Sequence, residues 1–126
     1  MNSLVLVLND EDEWSPEEWL VERGGKRGVG RQVVLEEKAA EWLSVSREDD
    51  ILQDYDDLER EKLSTVLLKP VLFLVEWKGH NLVEQLLRSV PKESGAMVDN
   101  DHGVIASIEL VRALPIDAWA RCKRLP

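Results

Sequence analysis

The chain has one cysteine and two histidines, and no apolar run approaching the ~18 residues that cross a bilayer. A lone thiol, Cys122, excludes an internal disulfide and a cysteine metal cluster, and it fits a reducing compartment. The N-terminus has neither the basic region nor the small-residue cleavage site of a secretory signal, so a soluble, cytoplasmic protein is expected. Catalytic signatures are also missing, and no cofactor is expected. What is present is charge. Of 126 residues, 44% are hydrophobic, an ordinary share for one domain with a single core, but 33% are charged, above the roughly 25% of an average domain. A net charge of −9 repels phosphate backbones and anionic lipids, which argues against direct nucleic-acid or membrane binding and favours a basic partner.

The acidity is segregated. Residues 1–63 hold 18 acidic against 8 basic side chains, a net of −10, whereas the remainder holds 7 against 8. Three stretches carry it: Asp10 to Glu18, the group Glu36, Glu37 and Glu41, and the run Glu48 to Glu61. Any one of them reads as a solvated helix face. Together they imply a directed negative field.

The pattern predicts an α+β domain spanning residues 1–126, with one small, mostly antiparallel sheet packed by three to four helices. Leu4 to Leu8 reads as a buried strand. Ser15, Pro16 and Glu18 form a helix-start signature for a helix of Pro16 to Arg23, followed by a glycine-rich basic loop or turn to Arg31. Leu35, Ala39, Trp42 and Leu43 fall at helical spacing and predict an amphipathic helix over Val34–Val45. Ser46 as N-cap and the stripe Ile51, Tyr55 and Leu58, extended by Leu63, Val66 and Leu67, predict a long helix over Arg47–Leu67. Pro70 ends it. Val71 to Trp77 reads as a central strand, Leu82 to Val90 as a helix closed by Pro91, and Ala96–Asp99 with Val104–Val111 as a hairpin.

Constellations that carry chemistry are sparse. Asp99, Asn100, Asp101, His102 and Gly103 combine carboxylates with an imidazole, but a calcium loop fails because Leu110 stands at the twelfth position. The same residues suit a turn that needs left-handed backbone. His80 has no zinc partner at HxxxH or HExxH spacing, and Lys26, Arg27 and Arg31 among glycines match no phosphate-loop motif. As an enzyme the chain offers Glu76, Asp99, Asp101, His80 and His102 for acid/base or metal roles. Trp19, Trp42 and Trp77 read as core residues, and Trp14, among carboxylates, as an interface anchor.

In size, charge and the run Val75, Glu76, Trp77, Lys78, Gly79 followed by a short helix and the Asp99 to Gly103 turn, the chain resembles bacterial immunity proteins of toxin–immunity pairs, including those of contact-dependent growth inhibition. That resemblance implies a specific inhibitor that binds a cognate toxin domain, commonly a nuclease whose cleft is basic. A monomer is expected, and the missing catalytic motifs predict no enzymatic activity of its own. An acidic nucleic-acid mimic is the alternative binding class, although its charge would spread over the whole molecule. The docking residues expected from charge are Asp10, Glu11, Asp12, Glu13 and Trp14, together with Asp50, Asp54, Asp57 and Glu61 in a row on the outer face of the long helix.

Overall fold

The structure, a computed structural model, describes residues 2–11, 13–37, 40–64, 67 and 69–125. Asp12, Ala39 and Val66, which the sequence reading invoked, lie outside them. Among the described residues seven antiparallel strands form one sheet: β1 (Asn2–Asn9), β2 (Lys26–Arg27), β3 (Gln32–Glu36), β4 (Trp42–Arg47), β5 (Pro70–Lys78), β6 (Met97–Asp99) and β7 (Ile105–Ser107). Their spatial order is β2-β3-β4-β5-β1-β6-β7, which puts β5 at the centre, where its β-branched and aromatic run belongs. The described helices are α1 (Pro16–Glu22), α2 (Asp57–Ser64), α3 (Asn81–Ser89) and the single turn α4 (Ile108–Val111), with 3₁₀ segments at Asp49–Asp54 and Ile116–Ala118. The strand expected over Val104–Val111 is therefore shorter: it stops at Ser107, whose side chain accepts from the Glu109 amide and caps α4. Among the described residues no helix is long and apolar enough to cross a membrane.

Every residue from Leu4 to Leu8 is buried, because both faces of the sheet are covered where β1 runs. Leu4, Leu6 and Leu8 point with Phe73, Val75 and Trp77 into the larger core, closed by α1, α3 and the C-terminal segment around Trp119. Val5 and Val7 point the other way, into a smaller core with Leu72 and Met97 that is roofed by Tyr55, Leu63 and Leu67. α1 starts as its sequence requires: Ser15 Oγ accepts from the Glu18 amide and Pro16 occupies the first turn. Of the loop or turn expected for the glycine-rich stretch, the structure has the turn: Lys26 and Arg27 pair with Val34 and Val33, and the Gly28 amide donates to the Gln32 carbonyl.

Among the described residues, two helices do not form as expected. The Val34–Val45 segment is the β3–β4 hairpin, in which Val33, Leu35, Leu43 and Val45 alternate into the larger core and Ser44 and Ser46 face away. Its period-2 signal coexisted with a chance helical spacing, and Glu37 N donating to Glu41 O reverses the chain where the helix would have run. Trp42, expected in the core, is half-buried and paired with Lys78 outside it. The Arg47–Leu67 helix is broken too. Arg47 ends β4, Tyr55 is extended, and α2 begins afresh with a reciprocal capping box in which Asp56 Oδ1 accepts from Glu59 N at 2.8 Å and Glu59 Oε1 from Asp56 N at 3.0 Å.

Candidate functional site

The layer formed by the 3₁₀ segment and α2 meets the β6–β7 turn across a groove of about 570 Å³ on the smaller-core side of the sheet. Val5 and Leu74 line it from β1 and β5, and Ile51, Tyr55 and Leu58 from the covering layer. Asp54, Glu59, Asp99 and Asp101 line it as well, with Lys62 as the cation among them. Leu58, expected to face the core, is 77% exposed at this groove. The shift follows from the break at Tyr55, since α2 does not continue the stripe set by Ile51 and Tyr55.

Asp99 is the buried carboxylate of the groove. It is only 6% exposed and sits at the last pairing of β6, opposite Val5 and Ile105. The Tyr55 hydroxyl donates to Asp99 Oδ2 at 2.7 Å, and the Asp101 amide donates to Oδ1 at 2.8 Å. Burial pushes the Tyr55 hydroxyl well above its ordinary pKa, aided by its hydrogen bond to Asp99 and the negative charges of Asp99, Glu59 and Asp101. The phenol therefore stays protonated and acts as a donor. Asp101 adopts φ +60°, a left-handed conformation that Asp tolerates, and Gly103 follows at φ +111°. The turn chemistry read from the sequence is what the fold uses.

Asn100 secures this turn from behind. Fully buried, it accepts from the amides of His102 and Val104 at 2.9 and 3.0 Å and donates to the carbonyls of Trp119 and Cys122 at 2.7 and 2.8 Å. One side chain thereby satisfies four backbone groups and ties the β6–β7 turn to the C-terminal segment.

No family model, curated protein or solved structure matches this chain. The site is therefore read from its own geometry. Of the five enzyme candidates, Asp99 and Asp101 come together in the groove, whereas the other three do not line it. Glu76 lies half-buried on β5, and His102 is exposed at the turn. His80 lines a separate cleft with Glu84, Arg88, Arg112 and Asp117. Among the described residues no group of three or more His, Cys, Asp and Glu is placed to hold a metal ion. Cys122 has its Sγ on the Ala118 carbonyl at 2.9 Å.

The expected docking residues divide between two places. Asp50, Asp54, Asp57 and Glu61 are all exposed, but they do not form one helix row: the first two belong to the 3₁₀ segment and the last two to α2. Of the four, Asp54 lines the groove. Asp10 and Trp14 line a different, shallow cleft with Arg47 and Phe73, and Trp14 packs half-buried against the larger core. Glu11 and Glu13 are exposed beside them. Sequence reasoning missed Tyr55, Leu58 and Glu59 as groove residues. The capping pair Asp56 and Glu59 was the signal that would have broken the helix there and turned Leu58 outward.

Proposed function

We propose that this protein is an immunity-type inhibitor that binds a basic toxin domain, such as a nuclease, through the acidic layer of the 3₁₀ segment and α2. The observation that carries this reading is that the run Glu48 to Glu61 forms an outer layer whose exposed carboxylates adjoin a groove with apolar walls and the exposed Leu58. Charge supplies steering and an apolar contact supplies burial, the combination that specific protein interfaces use. A nuclease cleft is basic because it holds phosphates, and an acidic layer is complementary to it. In this role the protein acts as a monomer in the cytoplasm and needs no cofactor or chemistry of its own.

The test pairs the purified protein with the product of the adjoining gene. Stopped-flow association is measured from low to high salt, alongside growth of cells expressing that product with and without this protein. A steeply falling association rate together with rescued growth supports the reading. Salt-independent association, or no rescue, overturns it.

A further inference from the structure

Four carboxylates and one lysine line the groove, so its own side chains leave it net negative even with Lys62 engaged inside the protein. Its walls are otherwise aliphatic and aromatic, and Leu58 stands in solvent at its edge. Arg60, the nearest other cation in sequence, is turned onto the carbonyls of Leu52 and Gln53 at 3.2 Å. The Tyr55 hydroxyl and the Asp101 amide, both neutral donors, engage one Asp99 oxygen each, and a carboxylate oxygen accepts more than one hydrogen bond. An occupant that suits this groove has an apolar stem and a cationic, multiply donating head.

Resting on the acidic-surface reading above, we propose that the groove seats one arginine side chain of the protein partner, its stem along Ile51 and Leu58 and its guanidinium among Asp54, Asp99 and Asp101. Arginine fits better than lysine on physical grounds. Its planar head is more weakly hydrated, packs against apolar and aromatic walls, and carries five donors for carboxylates approaching from different directions. Lysine offers a strongly hydrated point charge that loses more on entering a partly apolar groove.

The experiment uses the full chain labelled with nitrogen-15 and titrated with N-acetyl-arginine methylamide, its lysine counterpart and its uncharged citrulline isostere. We expect saturable amide shifts confined to the 51–59 and 99–105 segments with the arginine probe. Binding of lysine and citrulline should be about tenfold weaker, equivalent to about one net hydrogen bond to a charged group. The variant D54N/D101N should lose the arginine response while its remaining amide spectrum is unchanged, because Asn also tolerates the left-handed conformation at position 101. L58Q, altering an exposed side chain, gives a second variant that should weaken the response without unfolding the protein. Absence of a saturable local response, an equal response to citrulline or lysine, or a response undiminished in both variants overturns the proposal. A silent groove in a protein whose partner association still falls with salt removes the arginine seat alone. A saturable groove in a protein whose partner association ignores salt removes the acidic-surface reading alone.

Discussion

Tyr55 and Asp99 are 44 residues apart in sequence, and their 2.7 Å hydrogen bond ties the covering layer to the sheet. Removing the hydroxyl in Y55F leaves a buried carboxylate short of a donor. We expect a loss of about 1.5–3 kcal/mol in chemical denaturation, the usual range for a hydrogen bond to a charged group. The raised Tyr55 pKa also sets a pH dependence. The unfolded chain releases the phenolic proton near its ordinary value of 10.0 while the folded protein retains it. This contribution to stability is therefore complete below about pH 10 and declines as the pH rises further. Y55F should flatten that alkaline decline relative to wild type, and an unchanged slope would show that Tyr55 does not cause it. Asn100 gives a sharper test of a buried side chain. N100D keeps the shape and the acceptor but replaces two donated hydrogen bonds with a carboxylate oxygen facing the carbonyls of Trp119 and Cys122. A cost of about 3 kcal/mol or more is expected in the same denaturation experiment.

At the scale of elements, α3 shows how a distant residue completes a local structure. His80 at its N-terminus makes no side-chain cap, and Glu41 Oε1, from the β3–β4 connection, accepts from the Leu82 amide at 2.9 Å. The carboxylate also lies where the helix dipole favours negative charge. E41A should therefore destabilise the protein by about 1 kcal/mol, comparable to losing an N-cap, and hydrogen exchange should rise first in the opening turn of α3. The apolar face of α3 was legible as Leu82, Val83, Leu86 and Leu87, yet nothing local marks Glu41 as its cap. The same division runs through the fold. β1, β5, α1 and the β6–β7 turn were readable because each has one dominant signal: a β-branched run, a Ser-Pro helix start, or turn residues that accept left-handed backbone; the far half of the expected Val104–Val111 strand was not, because Ser107 caps a helical turn there. The β3–β4 hairpin was not, since Val33, Leu35, Leu43 and Val45 fit a strand pair while Leu35, Trp42 and Leu43 also fit a helix. Only cross-strand pairing with β5 decides between them. In the groove, Asp54 was legible from charge and Asp99 from its turn. Tyr55 was rightly read as buried, but its acceptor lies on another element, which no periodicity in its own segment reports.

At the scale of the whole molecule, the two faces of the sheet divide the work. The larger core, with α1, α3 and Trp119, holds most of the buried apolar residues, while the smaller core supports the acidic layer from beneath. Substitution at the exposed rim of that layer should therefore alter the molecular field far more than it alters stability. D54K/D57K tests this directly, since it changes the net charge from −9 to −5 at two exposed positions flanking Tyr55. Asp57 sits in the first turn of α2, so its reversal opposes the helix dipole and should cost about 0.3–1 kcal/mol, leaving the fold intact. The matched control D10K/E13K makes the same charge change near the shallow cleft beside Trp14. If the partner docks on the acidic layer, D54K/D57K should slow association by roughly 10-fold or more and flatten its salt dependence, whereas D10K/E13K should produce a smaller change. Equal effects of the two pairs would mean that total charge alone steers the encounter. A larger effect of D10K/E13K would move the interface to the Asp10–Trp14 end of the sheet, since the two predicted patches line separate clefts.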